Sequence, residues 1–415
     1  MHLLKTLAYW RGHSGTTGRR RGARAAMMAM ISGSVAVAAS ATLAAPVAAA
    51  PGGNAAANLT CGWSPRIGAG TFNMAFPDTF ANYWSTYLPA IPGATLTIRG
   101  KFPYARYMSF TTYSKGGEVA GSLNDQAIAA DDGGVNPFTH GADREAAARE
   151  YTVRIVMSAP PPNPEPNTLY TGDAAGFVPV VYRVYRPNAE LDATAGTGLP
   201  RLTFTMPDGV ARELADCGTE NAVHDPNALY PGRSGRLPGR TTSQPHAPAW
   251  KPASGGGYFP NPDNKYLTTL LEPGRVAVIR GKLPTTPATY RNQPVMGTGQ
   301  VRYWSLCSNK LVSTAVTACV VDDETAVDAD GFYTIVVSSS NDRPANTVGG
   351  CGIGWLPSDF GSDLLIMRNM LPDSSFRYSI QNADPADPKT NMGPYYPEVR
   401  YTSKADIEAA GCSLR

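Results

Sequence analysis

Two short stretches begin with the same residue types, Arg106-Tyr107-Met108-Ser109-Phe110 and Arg302-Tyr303-Trp304-Ser305-Leu306. Side chains alternate along a strand, so Arg106, Met108 and Phe110 share one face, as do Arg302, Trp304 and Leu306. Arg183 likewise shares a face with Val181 and Tyr185, and Arg368 with Ile366 and Met370. A guanidinium turned toward an apolar face needs an acceptor, because an unpaired buried charge is costly. Two readings meet that need. In one the arginines are internal architecture, paired with Asp125 in the first half of the chain and with Asp322 or Asp323 in the second. In the other, Arg106, Arg183, Arg302 and Arg368, together with Tyr107, Tyr303 and Trp304, line a cleft for a carboxylate, phosphate or sugar.

Other residues offer catalysis less readily. His140 lies close to Asp143 and Glu145, and His224 precedes Asp225, so either could serve as a general base. Neither is accompanied by a G-x-S-x-G elbow or an S-x-x-K nucleophile motif. Carboxylates cluster at Asp131-Asp132, at Asp322-Asp323-Glu324 and at Asp328/Asp330, but a glycosidase needs two facing each other across a cleft. The run Asp328-Ala329-Asp330-Gly331 has its glycine fourth where a calcium hand wants it sixth, and reads as a turn. Trp355-Leu356-Pro357 reads as a core plug at a bend, or as an aromatic platform for a carbohydrate. No CxxC or Cys/His cluster suggests a metal, and no cofactor is expected.

The elements that position these residues repeat. FPDTFANYWSTYLPAIPGATLTIRGKFP from Phe76 parallels FPNPDNKYLTTLLEPGRVAVIRGKLP from Phe259. Each reads as a short helix start, a Tyr-containing apolar helix, a Pro/Gly turn and a strand ending Ile-Arg-Gly-Lys. The strand pairs ARYMSFTTY and VRYWSLCSN, YTVRIVMS and YTIVVSSS, and FVPVVYRVYRP and DLLIMRNMLP follow in the same order, as do SLNDQ and CVVDDE. A repeat of this length is far longer than a solenoid period and predicts two homologous modules, residues 70–190 and 256–380. Strands rich in Val, Ile, Tyr and Thr, with 42 glycines and 36 prolines for turns, make the chain mainly β. We expect β-sandwich or jelly-roll-like modules with short helices at Asp143 to Glu150, Asp373 to Asn382 and Lys404 to Ala410. The last of these is capped by Ser403 and stopped at Gly411. Residues 191–255 form an intermodule segment with a Gly/Pro-rich run, and 381–415 a tail with a short helix.

Residues 1–49 carry Lys5, Arg11, Arg19, Arg20, Arg21 and Arg24, no acid, and a small-residue apolar run from Ala25 to Ala45, the pattern of an export signal cleaved after Ala49. Either general secretion or twin-arginine export fits, and residues 50–69 would then be a flexible lead. Losing those six charges leaves 30 basic against 33 acidic residues, so the formal +3 becomes −3. That removes any electrostatic case for nucleic acid or an anionic membrane surface, and the polar interruptions in the apolar run argue against a membrane span. Six cysteines in the exported part read as three disulfides. Fifteen pairings are open to six cysteines. The arrangement favoured is Cys307 with Cys319 across a hairpin, Cys61 with Cys217 closing the first half and Cys351 with Cys412 pinning the tail.

The second module resembles the bacterial family called domain of unknown function 1214, often paired with domain 1254. The resemblance rests on Trp304-Ser305, Asp330-Gly331 before Thr334-Ile335, Asn346, Trp355-Leu356-Pro357, and Arg368 before Pro372. The whole chain is also similar to secreted actinobacterial proteins with NPDN-Y-L, RYWS and N-M-L-P signatures. The inserted Cys351 and the absence of an aromatic after Arg368 depart from the family pattern, and the resemblance implies no activity. The residues therefore predict a secreted, disulfide-stabilised protein that binds an extracellular small molecule, anion, glycan or envelope component, with a secreted hydrolase of a polymer or ester as the second reading.

Overall fold

A computed structural model describes residues 61–114, 117–172, 174, 176–217, 247–253, 259–359, 361 and 364–414. The expected export signal, His224 and most of the Gly/Pro-rich run lie outside them. The first half contributes strands β1 (Ala81–Pro89), β2 (Thr95–Lys101), β3 (Ala105–Tyr113), β4 (Val119–Asn124), β5 (Glu150–Val156), β6 (Thr168–Tyr170), β7 (Phe177–Pro187), β8 (Arg201–Thr205) and β9 (Ala211–Leu214). The second contributes β10 (Lys251–Pro252), β11 (Asn264–Leu270), β12 (Val276–Lys282), β13 (Val301–Asn309), β14 (Val316–Val321), β15 (Phe332–Ser338), β16 (Ile353–Pro357), β17 (Leu364–Pro372) and β18 (Glu398–Thr402). Two short helices, α1 (Pro388–Met392) and α2 (Lys404–Ala410), complete it.

Four sheets result. In the first half their orders are β1-β7-β3-β4 and β6-β5-β2-β8-β9, and in the second β10-β11-β17-β13-β14 and β16-β15-β12-β18. The order of β1 to β8 thus recurs in β11 to β18, down to the parallel pairing of β5 with β6 and of β15 with β16. Alternation explains each sandwich. Trp84 and Leu88 of β1, Met108 and Phe110 of β3, and Tyr182 and Val184 of β7 point inward onto Leu96, Ile98, Val153 and Leu202 of the facing sheet. In the second half Leu267, Trp304, Leu306 and Met367 meet Ile279, Tyr333, Ile335 and Val337.

The outer faces of the two β3-type sheets do not face water. Tyr107 and Tyr185 pack with Tyr303, Val321 and Met370 of the other half, which is why β3 and β13 are buried along their whole length. The described residues all belong to one compact unit.

Several expectations change. The apolar helices expected after Phe76 and Phe259 are strands β1 and β11. β1 pairs with β7 along all nine residues, and that ladder makes it a strand, with Trp84 and Leu88 turned to the same face. Asp143 to Glu150 is not helical: Asp143 accepts the amide of Glu145, and Arg144 and Arg149 turn inward to main-chain carbonyls, bonds a helix would have denied them. Asp373 similarly caps a turn at Ser375, and only Ile380–Asn382 is helical, as a single 3₁₀ turn. The first sandwich also extends past residue 190, since β8 and β9 complete its second sheet, and the second includes β18 beyond residue 380.

Other expectations hold. α2 runs from Lys404 to Ala410, with the Ser403 hydroxyl accepting the Asp406 amide and Gly411 at φ 57°. The three disulfides are Cys61–Cys217, Cys307–Cys319 and Cys351–Cys412. Asp328 organises a turn, accepting the amides of Asp330 and Phe332 and the guanidinium of Arg280, which together hold its carboxyl down at about 2.

Candidate functional site

The arginines singled out by alternation are all buried, and they are consumed where the two halves meet. Arg106 donates to Asp322 and Asp323 at 2.8 Å each and to the Thr289 hydroxyl at 2.6 Å. Arg302 donates to Asp125 at 3.0 Å and to the carbonyl of Arg106 at 3.3 Å. The expected pairing within each module is therefore crossed: each arginine binds the carboxylate of the opposite half. The other oxygen of each carboxylate explains the exchange, since Asp125 accepts the Met108 amide and Asp322 the Trp304 amide at 2.9 and 3.0 Å. Each aspartate is thus fixed to its own strand and offers its remaining oxygen across the boundary.

A second exchange lies beside the first. Arg183 donates to the carbonyl of Phe259 and Arg368 to that of Phe76, both at 2.8 Å. These phenylalanines occupy equivalent places in the repeat, and both have positive φ, 54° and 53°. For a bulky residue that conformation costs about 1 kcal/mol, and the buried guanidinium on the carbonyl offsets it. Tyr107 donates to Asp263 at 2.7 Å, and Ser305 to Asp78 at 2.6 Å, again across the boundary. Tyr303 and Trp304 are fully packed. Arg106, Tyr107, Arg183, Arg302, Tyr303, Trp304 and Arg368 do not line an open cleft. The four guanidinium groups are spent on carboxylates and carbonyls of the opposite half.

The two clasps are unequal. Arg106 is held by two carboxylates, and Asp323 also binds Arg186, which reaches Glu324 as well. Asp125 has a single arginine contact. Burial pushes its carboxyl up to about 6, against the opposing pull of Arg302 and the Met108 amide.

His140 is exposed on a loop, with no hydrogen-bonded partner among the described residues. Trp355 is not a core plug: Leu356 takes that place, while the indole lies half-buried beneath Arg343 and donates to Ser338. Asp78 lies near Cys307 and Cys319, but those sulfurs are joined in a disulfide and offer no thiolate to a metal.

An open feature lies where alternation did not point. A surface depression of about 410 Å³ is lined by Thr285, Thr298, Gly299, Gln300, Asp373, Ser375 and Phe376. Its first wall belongs to residues 285–300. In the first half the chain passes from Pro103 to β3 through Tyr104 alone, whereas the second half inserts this whole segment between Pro284 and β13. The insertion straps the first half: Arg144 donates to the carbonyl of Gln293, Tyr290 lies under the guanidinium of Arg186, and Gly141 donates to the carbonyl of Met296. Its returning end then doubles back so closely that a Cβ on Gly299 would lie 2.7 Å from the carbonyl oxygen of Thr285. Gln300 is fixed by Thr285 at 3.0 Å and by the Tyr395 hydroxyl at 2.9 Å. The second wall is the turn after β17, where Asp373 accepts from the amide and hydroxyl of Ser375 and is thereby held below the usual carboxylate range. The sequence did carry a signal for this place, the gap that opens between GKFP-YARY and GKLP…QVRY when the repeats are laid side by side.

No family model matches the chain, and no curated protein matches it. Among solved structures it is similar to an uncharacterised protein of Burkholderia cenocepacia (13% identity, 83% of each chain, TM-score 0.48). A structural-genomics target of Vibrio parahaemolyticus is also similar (11% identity, 79% of this chain and 90% of that one, TM-score 0.40).

Proposed function

We propose that the chain is an exported, non-catalytic binding protein whose ligand is an extracellular small molecule, glycan or cell-envelope component. The observation that carries this reading is how the charged groups are divided. The buried arginines are engaged in joining the halves, while a rigid, polar depression of about 410 Å³, within the ~300–1,000 Å³ range of small-molecule sites, stays open. Three disulfides and the signal-like N-terminal sequence support export. The repeated sequence and the repeated strand order support a duplicated module, and the resemblance to the domain of unknown function 1214 family is compatible with it.

A thermal-shift screen of the chain from residue 50, disulfides intact, tests the proposal against small carboxylates, phosphates, calcium and oligosaccharides. A ligand at a hundredfold its dissociation constant adds about 2.7 kcal/mol, a visible rise in Tm. Turnover of an ester or polymer that is lost in His140→Ala would overturn the non-catalytic reading in favour of a hydrolase.

A further inference from the structure

The depression between residues 285–300 and the turn after β17 carries a more specific reading, which rests on the proposal that the protein binds a ligand. We infer that it is a subsite for a neutral saccharide, held by hydrogen bonds to Asp373, Thr298 and Thr285.

The groups on the walls select the ligand class. Asp373 has one oxygen occupied by Ser375, while the other has no partner among the described residues and is a charged acceptor for ligand hydroxyls. The Thr298 hydroxyl is exposed and likewise unpartnered among them, and it can both donate and accept. The Thr285 hydroxyl accepts from the Gln300 amide, so its own proton remains to be given. Asp373 is the one formally charged residue among the lining side chains, and no cation stands beside it there. An anion would therefore meet a carboxylate with nothing to balance it. A metal cation would find one carboxylate and a few hydroxyls, short of the six to eight oxygens that calcium takes. A neutral ligand rich in hydroxyls satisfies the whole set.

The floor supplies rigidity. Phe376 packs edge-on to Tyr395 at 4.9 Å, and Tyr395 stacks on Tyr378 at 5.7 Å. Phe376 is itself buried, so the aromatic group forms a fixed floor beneath the polar rim. Rigidity matters because affinity for so small a ligand depends on walls that need no ordering when it arrives. Both walls are tied down: one by the strap across the first half, the other by the bond from the Asp373 amide to the carbonyl of Gln300.

The test is calorimetric titration of the full exported chain with cello-, malto-, xylo- and chito-oligosaccharides, with galacturonate, inorganic phosphate and putrescine as charged probes. Asp373→Asn and Thr298→Val change exposed side chains, so circular dichroism and Tm should confirm that both fold. Tyr87→Ala, at an exposed aromatic of the first half, is the control. The expected result is saturable binding of at least one neutral series, weakened at least tenfold in both variants and unchanged in the control. Neutral binding that both variants leave intact would overturn this site but not the function proposed above. Binding of a charged probe alone, lost in Asp373→Asn, would overturn the ligand class. Absence of binding by every probe would overturn the subsite and weigh against the broader reading together.

Discussion

The two halves share a strand order and differ in what joins the second strand to the third. The first half crosses with Tyr104, and Arg149 lies over that ring at 3.7 Å with its nitrogens on the carbonyls of Phe102 and Arg144. At the matching place the Asn188 amide donates to the carbonyl of Tyr104. The second half inserts residues 285–300, which reach back to supply Thr289 to Arg106 and leave a polar hollow where they return. An insertion at one connection thus both tightens the union of the halves and creates an asymmetry that a ligand could use. The clasps show the same imbalance: the Arg106 side carries two carboxylates, a threonine and Arg186, while the Arg302 side rests on Asp125.

The largest test of this contrast concerns the disulfides. Cys61–Cys217 closes 156 residues around the first sandwich, whereas Cys351–Cys412 closes 61 and Cys307–Cys319 closes 12. On the chain-entropy account their removal as alanine pairs should cost about 5, 4 and 3 kcal/mol in that order, read by urea denaturation. Equal losses would mean that the first half is not the more dependent on its staple.

The clasps come next. Arg106→Ala strands Asp322 in a buried site and should cost about 3–5 kcal/mol. Arg302→Ala should cost less, about 1–3 kcal/mol, because Asp125 can take up a proton instead of remaining charged. A larger loss at Arg302 would reverse the ranking of the two sides.

The pH dependence sharpens the same comparison. The folded-state carboxyl of Asp125 lies at about 6, above the ~3.9 of an unfolded chain. Its contribution is therefore fully present below about pH 4 and is lost as pH rises through 6, a change of about 3 kcal/mol over the window. Asp125→Asn should remove that slope while leaving the Arg106 side untouched, as denaturation at pH 4.5 and 7.5 would reveal.

Smaller effects belong to the periphery. Ser403→Ala removes the cap of α2 and should cost about 1 kcal/mol, a loss that equilibrium unfolding can resolve. His140→Ala, at an exposed loop position, should change stability by less than about 0.5 kcal/mol.

Much of the architecture was legible because its causes are local or repeat along the chain. Alternation in ARYMSF and VRYWSL put the arginines on the right faces, and the cysteine positions suggested the staples that the fold contains. The helices expected after Phe76 and Phe259 failed for a local reason too: Tyr and Trp at neighbouring positions fit either period, and only β7 and β17 as partners chose the strand. The residues that face the depression, Thr285, Thr298 and Asp373, were missed because none belongs to a motif. They meet through a gap in the repeat rather than through a match.

By itself, the sequence determined most of the period-two strands, their repeated order along the chain, the charged residues that had to find partners, and α2 between Ser403 and Gly411. These follow from steric alternation, turn chemistry and the cost of an unpaired charge, which act within a few residues or on any buried group. Which carboxylate each arginine would find was decided only in three dimensions. Two sheet faces rich in tyrosine came together, and Arg106 and Arg302, near the starts of their strands, then reached the aspartates of the other half.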